Sequence, residues 1–429
     1  MRDRRGSASP IGRRERPLAA RRHAPSSSAP SILFLAHRIP YPPDRGDKIR
    51  SWHLLRHLCS LSRVHLACFA DDEADAAHLP ALREALRGRL GEARVEVRRT
   101  SKIIAGARAL LEGRPVSLTA FDSPSLRDFV RRLLATRDIG TIFAFSGQMA
   151  QFVPERAPQR FVMDFGDVDS EKFAAYADEG GLMAPIHRRE ARKLFAFERR
   201  VAARADVSLF VSDAEAKLFR EKVRLPGVDI RALPNGVDFK FYDPVAPVVP
   251  AAALHPLVVF TGQMDYAPNV DAVRWFVGHA LPQLSDAAFA IVGRNPPKVV
   301  RQLASDRVFV TGAVDDVRAW LAAADVVVAP LRIARGIQNK VLEAMAMAKP
   351  VVASPAAFQG IAAEPGRDLI VAESAEEQAA AIARLLADPA GSAAMGAAAR
   401  RRVEQAYRWD AQLAPLVEIV GHPGRRVAA

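Results

Sequence analysis

Cysteine is scarce. Only Cys59 and Cys68 occur in 429 residues, which excludes a disulfide framework or a cysteine-built metal centre as the basis of the fold. Both thiols are expected to be small core residues, one on a helix and one on a strand. Long apolar runs are missing as well: no stretch of the chain reaches the roughly 20 consecutive apolar residues that cross a bilayer. Aromatic residues make up 7%, and no motif interleaves them with basic residues as a nucleic-acid reader would, so nucleic acid is not an expected partner. Acidic residues are outnumbered, 48 Asp and Glu against 61 Lys and Arg, for a net charge of +13. The excess is uneven, because residues 1–22 hold eight arginines against Asp3 and Glu15. Residues 1–31, rich in Arg, Pro, Ser and Ala, show no apolar periodicity and are expected to form a disordered basic tail. Its arginine pairs are not a twin-arginine signal, since no apolar segment follows before Pro25, although composition alone also admits a transit peptide. A weak contact with anionic lipid is the sharper reading of this tail. The expected compartment is a reducing cytoplasm, with peripheral attachment at the inner membrane face as a variant.

With 49% hydrophobic and 25% charged residues, the rest of the chain has the make-up of an ordinary globular protein, long enough for two domains with separate cores. Short β-branched runs alternate with helical patterns. Strands are expected at 32–36, 64–70, 95–97, 141–145, 160–163 and 207–211, with a helix at 49–61. A Pro- and Val-rich break at 234–256 contains the turn signal Asn235-Gly236, for which a positive φ is expected. Strands resume at 257–260, 289–292, 308–310, 326–329, 351–353 and 369–371, and a helix follows at 375–386. This alternation predicts an α/β fold of two Rossmann-like, doubly wound parallel-sheet domains facing a cleft at their strand C-termini. The expected organisation is a first domain at 32–240, a linker at 241–256, a second domain at 257–405, and a C-terminal helix or tail at 406–429 that returns to the first domain.

The most informative run is 326–355. It reads as a buried strand, a polar loop, a short helix of small residues and a second buried strand. Gly336 lets a ligand approach the backbone, Gln338 or Asn339 can cap the helix, and the helix N-terminus suits a phosphate. Glu343, a turn further in, can accept hydrogen bonds from sugar hydroxyls. An ordinary βαβ unit with a solvated Glu343 is the plain alternative.

Residue order favours the nucleotide-sugar reading. Glu343-Ala344-Met345-Ala346 and Lys349-Pro350-Val351-Val352 resemble the C-terminal signature of retaining GT-B glycosyltransferases of the family 4, or group 1, kind. The variant Ala-Arg-Gly-Ile-Gln-Asn-Lys-Val-Leu-Glu (334–343) looks most like bacterial sugar transferases of exopolysaccharide clusters and the PEP-CTERM/exosortase system. The resemblance implies that Glu343 holds the donor ribose and that Gly336, Ile337 and Asn339 line the donor site. It also exposes a departure: eight positions before Glu343, where the family carries a second glutamate on the transferred sugar, stands Arg335. Similarly, 260–269 lacks the basic residues with which relatives bind the diphosphate, leaving Gly262 at the turn and Arg294, Arg335 and Lys340 as candidate cations. For each of these the alternative is a solvated surface charge.

Elsewhere, the resemblance places Gly46 beside the donor phosphates, 233–238 at the interdomain junction, and Gly312 and Val314 against the nucleobase. Asp315 or Asp316 is the expected cap of the following helix. Asp164, Asp167 and Asp169 gather at a strand end on the acceptor side, and Asp167 is the favoured acceptor-side group. Metal ligation by these aspartates is the lesser reading, and no cofactor or metal is expected. His37 and His53 are further candidate bases. The basic helix at 188–204 is read as a solvated face, or as a patch for anionic lipid. The expected activity is transfer of a sugar from a nucleotide diphosphate donor to an exopolysaccharide precursor or polyprenyl-linked saccharide. A nucleotide-sugar epimerase and a degenerate, non-catalytic subunit are the rivals.

Overall fold

The computed structural model describes residues 30–99, 102–178, 180–251, 254–334 and 336–421; the basic tail up to residue 29 and Arg335 lie outside them. Among the described residues, thirteen strands form two parallel sheets. The first holds β1 (Ser31–Ala36), β2 (Val64–Ala70), β3 (Leu90–Val97), β4 (Ile139–Phe145), β5 (Arg160–Gly166), β6 (Val207–Phe210) and β7 (Ile230–Ala232), in the order 3-2-1-4-5-6-7. The second holds β8 (Leu257–Thr261), β9 (Ala288–Val292), β10 (Val308–Gly312), β11 (Val326–Ala329), β12 (Val351–Ala353) and β13 (Ile370–Val371), in the order 10-9-8-11-12-13. Each order reverses direction once, between β1 and β4 and between β8 and β11. In open parallel sheets this reversal opens a crevice at the strand C-termini where ligands bind.

The central strands are buried on both faces, as their unbroken apolar runs require: β2 and β8 are buried at every position. Side chains of the first sheet feed two cores. One, around Phe34, Leu66 and Phe143, is covered by helix Gly46–Leu61; the other, around Leu35, Met163 and Phe210, is covered by helices Pro124–Thr136, Ala184–Arg204 and Asp213–Val223. The second sheet has its own core, centred on Phe260, Phe276 and Phe289. Cys59 and Cys68 are buried free thiols.

The chain crosses between the sheets twice. Residues 233–238 lead outward, and residues 407–409 lead back. The crossings lie side by side, with Val237 bridged to Arg408 in parallel and the Val237 amide donating to the Tyr407 carbonyl at 2.7 Å. Trp409, Leu413, Leu416, Ile419 and Val420 then enter the first domain's core. Thr141 donates to the Val420 carbonyl (3.0 Å) and Arg160 to that of Ile419 (2.6 Å).

Three local expectations are corrected. Neither Asn235 nor Gly236 has a positive φ; Gly236 is small because a Cβ there would stand 2.6 Å from the Trp409 nitrogen of the returning crossing. The first helix begins at Gly46 rather than residue 49, since Asp47 and Lys48 lack apolar periodicity, yet Asp47 suits a first turn and Lys48 is paired with Asp75. His53 is stacked on Trp409, with ring centroids 4.2 Å apart, inside the first domain. Burial, with Arg56 nearby, lowers its pKa to about 3, which makes it a packing residue and not a base.

Candidate functional site

The loops leaving the sheet ends at the two reversal points meet across the cleft. From the first domain come loop 37–45 after β1, the start of helix Gly46–Leu61, and Asp167 just past β5. From the second come Gly262 after β8, Arg294 after β9, and residues 330–334 and 336–338 leading into helix Asn339–Ala346. A Cβ on Gly46 would stand 3.8 Å from the Asn339 amide nitrogen, so the two helix N-termini face one another. On Gly336 (φ +63°) it would stand 3.6 Å from an Asp167 carboxylate oxygen. Arg294 closes a third contact, donating to the Asp44 carbonyl at 2.8 Å.

Lys340 is the best-placed cation. Its ammonium donates to the Asn269 side-chain oxygen at 2.5 Å and lies 4.6 Å from the Phe260 ring centroid. It sits beside Gly262, where a Cβ would be 3.3 Å from Nζ and 2.9 Å from the Asn269 amide nitrogen, so the glycine lets these two side chains close over the end of β8. Burial disfavours its charge and lowers its pKa to about 7, against an upward pull from Glu343. Glu343 is one turn along the helix, on the same side. Burial raises its pKa, and a hydrogen bond from Tyr242 works the other way. Tyr242 lies buried in the segment after the first crossing, its own pKa pushed well up by burial and by the charge of Glu343.

The remaining second-domain candidates frame this pair. Gly312 ends β10 at φ +71° with open space on its side-chain face. Val314 and Ile337 pack against the second core. Asn339 opens the helix, with its side-chain oxygen buried and unpartnered. Gln338 precedes it but makes no side-chain cap, contrary to expectation: its amide nitrogen turns back to the Gly336 carbonyl at 3.1 Å. The N–H groups of Asn339 and Lys340 therefore keep their capacity for an anion, while that of Val341 donates to the Gln338 carbonyl at 3.0 Å.

In the first domain the three aspartates separate by environment. Asp164 is buried and taken by Arg50, at 2.8 Å; Arg50 also donates to the Leu233 carbonyl and the Asn235 side chain, each at 2.8 Å, tying β5 to the outgoing crossing. Asp167 is exposed to cleft solvent yet crowded by protein, and desolvation together with the Glu215 and Asp169 charges raises its pKa. Asp169 starts the next helix. His37, at the end of β1, pairs with Asp47 at 3.0 Å and leaves Nδ1 buried without a partner. Asp316 caps helix Val317–Ala323 by accepting from the Arg318 amide. Among the described residues no group of three or more His, Cys, Asp or Glu is arranged to hold a metal ion.

Asn269, Tyr242 and Asp44 were not singled out by the sequence reading. Tyr242 lies in the junction between Phe241 and Pro244, and its neighbours carried the signal there. Asn269 was visible only as the end of a stretch lacking basic residues.

Residues 255–388 match the family described as "Glycosyl transferases group 1". Two GDP-mannose-dependent alpha-(1-6)-phosphatidylinositol monomannoside mannosyltransferases are similar in sequence. That of Mycobacterium tuberculosis is 27% identical, covering 71% of this chain and 81% of the relative. That of Mycolicibacterium smegmatis is 29% identical, covering 71% and 82%. Among solved structures, sucrose-phosphate synthase from Thermosynechococcus elongatus superposes with a TM-score of 0.66 at 18% identity, over 90% of this chain and 97% of that one. Anabaena HepE in complex with UDP and glucose gives 0.62 at 16% identity, over 91% and 98%. These structures share the two-domain architecture, GT-B. The second domain, similar over residues 255–388 to group 1 glycosyl transferases, holds the Lys340–Glu343 helix at its reversal point, and the chain is a glycosyltransferase.

Proposed function

We propose that the enzyme transfers a sugar from a nucleotide-sugar to a saccharide acceptor carried on a lipid, with retention at the anomeric carbon. The observation that carries this reading is Lys340, held by Asn269 against Gly262 one turn from Glu343. A nucleoside diphosphate laid over Gly262 meets an ammonium and the free N–H groups of a helix start, while its ribose meets Glu343. As the bond from the anomeric carbon to the diphosphate breaks, negative charge grows on the leaving oxygens, and Lys340 with the helix N-terminus stabilises it. Arg294 is spoken for by Asp44, so Lys340 ranks before it. Arg335, standing where relatives carry glutamate, is assigned to the transferred sugar or its phosphate. The diphosphate is thus assigned to cations of the chain and not to a metal ion. Asp167, across the cleft from Gly336 and with a raised pKa, is assigned the proton of the acceptor hydroxyl.

GDP-mannose is the first donor to try, because the similar mannosyltransferases are named for it; UDP-glucose is the second, from the HepE complex. The lipid-linked exopolysaccharide acceptor rests on the sequence resemblance and on the lipid acceptors named for those relatives. The test is a thermal-shift screen of nucleotide-sugars followed by a transfer assay. Ligand at about 100 times its Kd should add roughly 2.7 kcal/mol to apparent stability. Absence of both binding and transfer refutes the proposal. Conversion of donor alone identifies an epimerase instead, and donor binding without transfer to any acceptor identifies a non-catalytic subunit, the reading that Arg335 motivates.

A further inference from the structure

One face of the first domain takes no part in the cleft, and it is unusual in its exposed apolar tips. Leu110 and Leu111, at the end of helix Lys102–Leu111, are 60% and 89% exposed; Leu182, Met183 and Ile186, at the start of helix Ala184–Arg204, are 100%, 52% and 45% exposed. The two groups share one platform. Arg189 donates to the Ala109 carbonyl at 2.9 Å and to the Arg114 carbonyl at 3.2 Å, and Glu190 accepts from the Val116 and Ser117 amides at 2.8 and 2.9 Å.

Beside these tips runs a groove of about 840 Å³, and its only charged lining residues are Arg114, Lys193, Arg199 and Arg200. Arg114 is engaged by Glu112, Asp122 and Gln151, and Arg199 by the Val223 carbonyl. Lys193 and Arg200 are exposed, two turns apart on the same helix, and have no hydrogen-bond or ion-pair partner among the described residues. Apolar tips in front with uncompensated cations alongside form the pattern of an interfacial membrane surface. A protein partner of matching shape would have to supply acids for the groove; an anionic bilayer supplies both a headgroup layer and phosphates.

We propose that this face is the enzyme's landing surface on an anionic bilayer, with the leucines, Met183 and Ile186 entering the headgroup layer and Lys193 and Arg200 meeting lipid phosphates. It goes beyond the reading of the cleft and stands on separate residues, while giving a lipid-borne acceptor a fixed approach.

The test is vesicle flotation of the full chain, with phosphatidylcholine vesicles and with vesicles containing about 30% phosphatidylglycerol as the anionic lipid. The wild type should float with the anionic vesicles only. Each cation near such a surface is worth roughly fivefold in partition, so Lys193→Gln with Arg200→Gln should weaken binding about 25-fold. Leu111→Glu with Leu182→Glu should weaken it by about tenfold or more. Lys298→Gln with Arg301→Gln, on the second domain, should leave it unchanged. The basic tail is kept in every variant, so its contribution is common to all. Wild-type binding by both patch variants, or no binding by the wild type, overturns the proposal. Each variant's melting temperature and its shift with nucleotide-sugar confirm folding, and that shift needs no vesicles, so failure here and failure of the donor reading are separately visible.

Discussion

Lys340 offers a prediction with a worked magnitude. Burial lowers its pKa to about 7, so near neutrality the empty site holds this side chain about half protonated. A nucleotide-sugar's diphosphate has no titration between pH 6 and 9 and favours the charged ammonium, so binding takes up a proton wherever Lys340 is neutral beforehand. The apparent Kd should then scale as one plus ten to the power of pH minus seven: about 1.1 at pH 6, about 11 at pH 8 and about 100 at pH 9 in relative terms. The assay is isothermal titration with GDP-mannose in buffers of different ionisation enthalpy, which reads affinity and proton uptake together. Uptake should be about half a proton at pH 7 and about 0.9 at pH 8. Lys340→Met should bind more weakly at pH 6 and lose the slope. In the unliganded protein the same shift acts on stability. The unfolded chain, with an ordinary lysine, binds more protons than the folded one between about pH 7 and about pH 10.5, so this group's contribution makes the fold more stable as pH rises through that window. The melting temperature of Lys340→Met relative to wild type should therefore be highest at pH 6 and decline by pH 9. A flat affinity from pH 6 to 9 with no proton uptake would refute the placement of Lys340 at the diphosphate.

Two further outcomes follow from the packing around the crossings. Tyr242→Phe removes a hydrogen bond from partly buried Glu343 and should cost about 1–2 kcal/mol in urea unfolding at pH 8. Because the Glu343 pKa is raised in the fold, the carboxyl takes up its proton as pH falls and the loss should shrink toward pH 5; an equal loss at both pH values would exclude the carboxylate as partner. Gly236→Ala drives a methyl to 2.6 and 2.7 Å from the Trp409 backbone nitrogen and Cα. It should destabilise by about 3 kcal/mol and speed proteolysis after residue 406, whereas a change under about 0.5 kcal/mol would show that the second crossing is not packed there.

The fold was legible where burial is two-sided. Runs such as Val64–Ala70 and Val326–Ala329 are apolar because both faces are covered, and they announce themselves. Edges are different: β7, Ile230–Ala232, was missed, and β3 starts at Leu90 rather than 95 because its first half carries Glu92 and Arg94. One neighbour and one covered face are enough for an edge strand, so it needs no apolar run. At the site, the helix of Lys340 and Glu343 could be read because its residues are contiguous. Its supports could not, since Asn269 and Tyr242 come to it through the sheet order and the crossing, over separations that no local pattern encodes. The φ expected of Gly236 failed for a related reason: sequence shows that a side chain is absent there but not what occupies the space, which is the backbone of a residue 173 positions later.

The returning crossing also bears on how the protein is made. Leu413, Leu416, Ile419 and Val420 complete a core begun by Phe34 and Leu66, so the first domain contains residues from both ends of the described chain. During synthesis, that domain emerges from the ribosome with one side of its sheet uncovered and stays so until the whole second domain has been translated. The second domain, whose core residues run uninterrupted from Val237 to Tyr407, can close as soon as its last helix is free. The part made later is thus the first able to finish, and a nascent chain stalled before residue 409 would display the unfilled groove as a surface for chaperones.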